Sequence, residues 1–188
     1  MKRKKTFFIT IIVAICVLLL FFLSFSTGGK EGKLKEAAAH NLLTRIYTVL
    51  DHDRYQEMLR KQQKYQEQSE IISDYIELYA PYTTEQGLEQ LFANRIAFYT
   101  ESFAYENDLL LEIQEIAFRP TNSEKDPAQY DYEVQLLVTD KVGEKLREVI
   151  VKGAIVVKKV PSENYLVDFI RITDDSELME LDVGRIDE

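Results

Sequence analysis

The chain has 188 residues, 46% hydrophobic and 29% charged, with no tryptophan, four prolines and a single cysteine. This composition excludes a disordered chain, a collagen-like repeat and a disulfide-stapled miniprotein. Charge is unevenly spread: Lys2, Arg3, Lys4 and Lys5 follow Met1 and the first acid is Glu31, so the remainder holds 19 basic against 32 acidic residues, net −13 rather than −9. So acidic a body is repelled by phosphate backbones, which excludes nucleic acid as a partner.

The basic stub, residues 1–5, is followed by residues 6–26, which contain no charge, proline or glycine. As a helix these 21 residues span ~31 Å, close to the roughly 30 Å of a bilayer's hydrocarbon core. The segment therefore reads as a transmembrane anchor. Lys and Arg resist translocation, so the stub holds its end in the cytoplasm and the body lies outside the cell membrane. A cleavable signal peptide is the alternative, with Ser24 and Ser26 placed for a cut before Thr27. Against it, the apolar run Phe7 to Leu23 has 17 residues, more than the roughly 7–15 of a signal peptide's apolar region. Either way the body is exported. Cys16 lies inside the apolar segment, so the exported domain has no cysteine and must hold together by its core, as suits a bacterial envelope.

Residues 27–33, with three glycines, read as a linker. A domain is then expected over 34–173. Leu34, Ala38, Leu42, Ile46 and Val49 repeat with helical spacing, and Asp51 or Asp53 caps a second helix running from about Arg54 to Tyr79, where Pro81 stops it. Thr83 and Gln86 form a capping box for a third helix through Leu88, Leu91, Phe92, Ile96, Tyr99 and Phe103. From Leu109 the period falls to two, with a phase slip at Gln114-Glu115 that predicts a β-bulge. Tyr130 to Val138 form a second strand, Asp140 to Glu144 a hairpin turn, Leu146 to Val160 a long strand around Gly153, and Tyr165 to Ile172 the last strand. Residues 174–188 hold seven acids against Arg185 and read as an acidic tail. The fold class is α+β: three helices on a curved antiparallel sheet of about four strands.

This layout resembles the nuclear-transport-factor-2-like (cystatin-like) superfamily. The resemblance rests on Ala38 to Leu50 with Asp53-Arg-Tyr55, and on the Gly153 strand before Tyr165 to Ile172; it covers roughly Leu34 to Thr173. The superfamily's short strand after the second helix has no secure counterpart in the pattern. The resemblance implies a cone-shaped sheet around a helical layer. With a single-pass anchor, it is similar to small Gram-positive envelope proteins and to assembly proteins of type IV secretion and conjugation machines.

Enzymes of that superfamily place an Asp/His pair inside the cone to move a proton beside a carbonyl, which makes Asp168, His40 and His52 the candidate acid–base residues. His40 lies opposite the apolar face of its helix, and His52 in a capping turn. Asp51, His52 and Asp53 are consecutive, so they diverge instead of converging on a metal. Asp168 shares a strand face with Leu166 and Ile170, and Arg171 or Arg147 is its expected partner. No phosphate loop or nucleophile elbow occurs, so neither a cofactor nor a metal is expected. Tyr65, Tyr75, Tyr79 and Tyr82 form a candidate interaction surface, since tyrosine is enriched where partners meet. The expectation is a non-catalytic, membrane-anchored module that binds protein partners or itself. A small-molecule-binding or isomerase-like enzyme working inside the cone is the alternative.

Overall fold

The computed structural model describes residues 29–64, 68–121, 128–162 and 164–181. The apolar segment 6–26 and its basic flank, Tyr65, and residues 182–188 of the acidic tail lie outside them. Among the described residues, no helix is long and apolar enough to cross a membrane.

Alternation of apolar and polar residues builds one antiparallel meander in the order β1-β2-β3-β4, with β1 at Leu109–Pro120, β2 at Gln129–Asp140, β3 at Lys145–Lys159 and β4 at Tyr165–Asp174. The register pairs Leu111 with Val138, Leu136 with Val149 and Ile155 with Ile170, so one face collects the apolar side chains. Val134, Leu136, Val138, Val149, Val151 and Ile155 on that face are completely buried. The other face is mixed, with Asp131, Glu133, Gln135, Glu148 and Lys152 beside the half-buried Leu137 and the exposed Ile150. The expected bulge is present: the β1–β2 register shifts between Ile113 and Glu115, leaving Gln114 as the extra residue. A second shift falls between Val156 and Val157, whose partners are Phe169 and Val167, so Asp168 is itself the extra residue in β4. Extra residues of this kind increase local twist and bend a sheet. Gly153 lies at a third shift, where a Cβ would come within 2.3 Å of the Tyr132 ring and of the Arg171 carbonyl.

Helix α1 covers 29–47, so the linker expected at 27–33 is helical from residue 29. Its first turns are fastened to β4, with Glu31 paired to Lys35 at 2.9 Å and the Lys35 ammonium 5.8 Å from the Tyr165 ring centre. Ala39, Leu42, Leu43, Ile46 and Tyr47 bury one face of α1 against the sheet, whereas Leu34 is 50% exposed. Past the helix, Val49 exchanges both backbone hydrogen bonds with Leu111, at 2.9 and 2.8 Å, adding one bridge to the β1 edge.

The single long helix expected from Arg54 to Tyr79 is instead two, α2 (Asp53–Lys64) and α3 (Gln68–Tyr79). Lys61 Nζ lies 2.5 Å from Asp74 Oδ2, although 13 residues of straight helix would separate the two by ~20 Å. The helices therefore fold back on one another. The polar run from Arg60 to Glu70 includes the end of α2 and the start of α3. Pro81 sits in a short 3-10 turn, Ala80–Tyr82, and Thr83 makes a single parallel bridge to Val167.

The third expected helix is also two, α4 (Glu85–Ala93) and α5 (Ile96–Glu106). They are separated at Arg95, which adopts left-handed backbone angles at φ 59°. The cap of α4 is Thr84, not Thr83: its hydroxyl accepts from the Gly87 N–H at 3.0 Å, while Thr83 is held extended by its bridge. Within the expected tail, α6 (Ser176–Met179) buries Leu178 completely and sets Glu177 to accept from the Ile150 N–H. The described residues thus contain six helices on a four-stranded sheet, an α+β fold.

Candidate functional site

The apolar face of α1 is interleaved with a polar stripe, His40, Asn41, Thr44, Arg45 and Thr48, spaced so that all five lie on one side of the helix. This stripe forms one wall of a cleft of about 670 Å³. The turn at Asp51 and His52 and the start of α2, with Arg54 and Tyr55, form the second wall. Tyr82 and Glu101 complete it.

Glu101 is the buried charge of this site, 5% exposed on a helix that also buries Ile96, Ala97, Thr100 and Ala104. A carboxylate there must be paired and hydrogen-bonded, and both its oxygens are engaged. Oε1 forms an ion pair with the Arg54 guanidinium, and Oε2 accepts from the Tyr75 hydroxyl at 2.6 Å. Arg54 is 37% exposed and reaches the cleft, while its Nε–H is buried with no acceptor. Burial lowers the Arg54 pKa, and the neighbouring Arg45 charge lowers it further. Burial pushes Tyr79 up to about 12, with the two arginines opposing the rise. Arg45 itself is exposed and makes no ion pair among the described residues.

The expected acid–base residues are separated. His40 is exposed, with Nδ1 3.3 Å from the Thr44 hydroxyl. His52 is half-buried; its Nε2–H donates to the Leu109 carbonyl at 2.7 Å and its ring meets Tyr105 edge-on. Both histidines line the cleft, but His52 is committed to fastening its turn to β1. Asp51 Oδ1 accepts from the Asp53 N–H at 3.0 Å and so shapes the start of α2. Asp168 does not line the cleft. As the bulge residue of β4 it accepts from the Thr84 hydroxyl at 2.8 Å and pairs with Lys158 at 2.5 Å, fastening the α4 start to the sheet. Its expected partners, Arg171 and Arg147, are replaced by Lys158, because the bulge rotates it away from the face it would share with Ile170.

The candidate tyrosine surface is likewise corrected. Tyr75 and Tyr79 are 2% and 1% exposed, and the Tyr79 hydroxyl donates to the Ala97 carbonyl at 3.1 Å. Both belong to the core; of the four, Tyr82 is half-buried at the cleft and Tyr65 lies outside the described residues. Among the described residues, no three His, Cys, Asp or Glu side chains are grouped to hold a metal ion. Arg45, Arg54 and Glu101 were missed by pattern reading. The signals were there in principle: an acid in the middle of Phe98 to Ala104, and a polar i, i+4, i+8 series along α1. Comparison of the chain with protein-family models, with curated proteins and with solved structures gives no match.

Proposed function

We propose that this protein is a membrane-anchored, extracytoplasmic binding module of a bacterial cell envelope, acting through contacts with partners and not by catalysis. An assembly such as a secretion or conjugation complex is a setting of this kind. The observation that carries the reading is the placement of α1. It is helical at residue 29, three positions after the uncharged segment ends at 26, and its far half forms the cleft wall at 40–48. That wall lies ~16–28 Å along the helix from residue 29. An anchor formed by 6–26 would hold the base of α1 near the bilayer and present the cleft away from it. The filled inner face of the sheet supports a module whose contacts are made at the cleft and surface, not inside a cone. A nuclear-transport-factor-2-like ancestry is part of the same proposal. It is supported by the α+β order and by the Thr83–Val167 bridge, which stands after the helical hairpin where that superfamily carries a short strand.

Two measurements test the reading. In a Cys16→Ser background, a cysteine introduced as Val142→Cys, at a position 80% exposed, should react with a membrane-impermeant maleimide on intact cells, and the chain should remain with membranes after alkaline carbonate washing. Crosslinking on intact cells should then capture discrete partner chains or a second copy. Protein recovered in the soluble cytoplasmic fraction, or labelled only after lysis, would overturn the anchored reading. A strictly monomeric, uncaptured chain would overturn the binding role.

A further inference from the structure

The cleft is lined by two arginines, Arg45 and Arg54, and two acids, Asp51 and Glu101, and these are unequally engaged inside the protein. Glu101 is satisfied on both oxygens by Arg54 and Tyr75. Asp51 turns one oxygen inward to the start of α2. What remains facing the cleft is the Arg45 guanidinium, which makes no ion pair among the described residues, the part of Arg54 that Glu101 does not use, the ring of His40 and the second carboxylate oxygen of Asp51. Arg45 and Arg54 are near enough for each charge to act on the other, and of the two only Arg54 has a carboxylate partner, so an anion seated between them would be attracted by both guanidiniums. Guanidinium is also the side chain best shaped to hold a planar or tetrahedral oxyanion through paired N–H donors.

We propose that the cleft binds a small, hydrophilic ligand through a carboxylate or phosphate group held by Arg45 and Arg54. At about 670 Å³ the cleft has the size of small-molecule sites, roughly 300–1,000 Å³, so a single oxyanion group fills only part of it. Asn41, Thr44 and Thr48 on one wall and Tyr55 on the other offer amide and hydroxyl groups to the rest of the molecule. This deepens the binding-module reading by giving its cleft a ligand class, and it rests on that reading only for the biological setting.

The test uses the full-length chain in neutral detergent at low ionic strength, titrated calorimetrically with inorganic phosphate and, separately, with citrate. Arginine modification by phenylglyoxal is mapped by mass spectrometry with and without each anion. At least one anion should bind saturably and slow modification of Arg45 about fivefold or more, leaving the exposed Arg147 of β3 unaffected. Arg45→Gln, which removes an exposed side chain without a partner and should keep the wild-type circular dichroism, should weaken binding about tenfold or more, equivalent to about 1.4 kcal/mol. Saturation by phosphate alone assigns a phosphate-bearing ligand, and by citrate alone a carboxylate; both support the site. The proposal is overturned if neither anion saturates, if Arg45→Gln binds as tightly as wild type, or if Arg147 is protected as strongly as Arg45. Such a failure would leave the partner-capture result on cells untouched, so the two readings fail separately.

Discussion

At the scale of single residues, the buried Glu101 shows how much an internal charge depends on its neighbours. Its side chain is 6% exposed, with Arg54 on one oxygen and Tyr75 on the other. Hydrogen bonds to charged groups contribute about 1.5–3 kcal/mol when the alternative is an unsatisfied buried acceptor. Tyr75→Phe should therefore reduce unfolding free energy by about that much in urea titrations. In a Glu101→Leu background the same change should cost well under half as much, since no carboxylate remains to be abandoned; equal costs in the two backgrounds would show that the hydroxyl matters for another reason. Little of this was legible in sequence. Tyr75 reads as a partner-facing tyrosine because tyrosine is enriched where partners meet, and only the folding of α3 back on α2 turns it toward Glu101 of α5. His40 was legible, since its position relative to Leu42 and Ile46 requires exposure.

At the scale of elements, β4 and α4 are joined by one small polar device. Thr84 caps α4 by accepting from Gly87 N–H and donates its own proton to Asp168, which also pairs with Lys158. The Thr84 N–H donates to the Val167 carbonyl at 2.9 Å, and Gly87 lies so close that a Cβ would come 2.3 Å from that same oxygen. Thr84→Ala should cost about 1–2 kcal/mol through the lost cap and the lost partner of Asp168. Thr84→Ala and Asp168→Ala combined should cost clearly less than the two separately, because each removes the other's hydrogen bond; strict additivity in chemical denaturation would refute the coupling. The strands and the Gln114 bulge were readable because a period of two and its slip leave a local trace. The two helix breaks were not. The α4–α5 corner places arginine where glycine or asparagine is the usual signal, and the α2–α3 reversal lies in a polar run that fits an exposed helix equally well.

At the scale of the whole molecule, the absence of tryptophan makes tyrosine the intrinsic reporter of folding. Burial pushes the pKa values of Tyr47, Tyr75 and Tyr132 upward and that of Tyr79 to about 12. The folded state favours the neutral phenol, so this contribution to stability is complete below the unfolded value of about 10. It is lost progressively as pH rises from there toward 12 and beyond. Absorbance at 295 nm followed with far-ultraviolet circular dichroism should show part of the tyrosine ionisation occurring together with loss of secondary structure above pH 10. Complete ionisation near pH 10 with the dichroism unchanged would contradict the burial of these rings. The acidic body adds to alkaline instability through self-repulsion, and moderate salt should shift the transition upward.

The contact between Gly153 and the Tyr132 ring ties two strands' sequences together. With a Cβ at 153 meeting the ring carbon and hydroxyl at 2.3 Å, neither position is free to drift alone. That Cβ would also meet the Arg171 backbone oxygen at 2.3 Å, which no change at 132 relieves. A homologous chain with this bend should therefore keep glycine at 153 wherever it keeps the ring at 132, together with the residue at 47 whose hydroxyl meets that of Tyr132 at 3.3 Å. Joint retention of these three residues, more than similarity along the strands, would mark a distant sequence as built on the same bend.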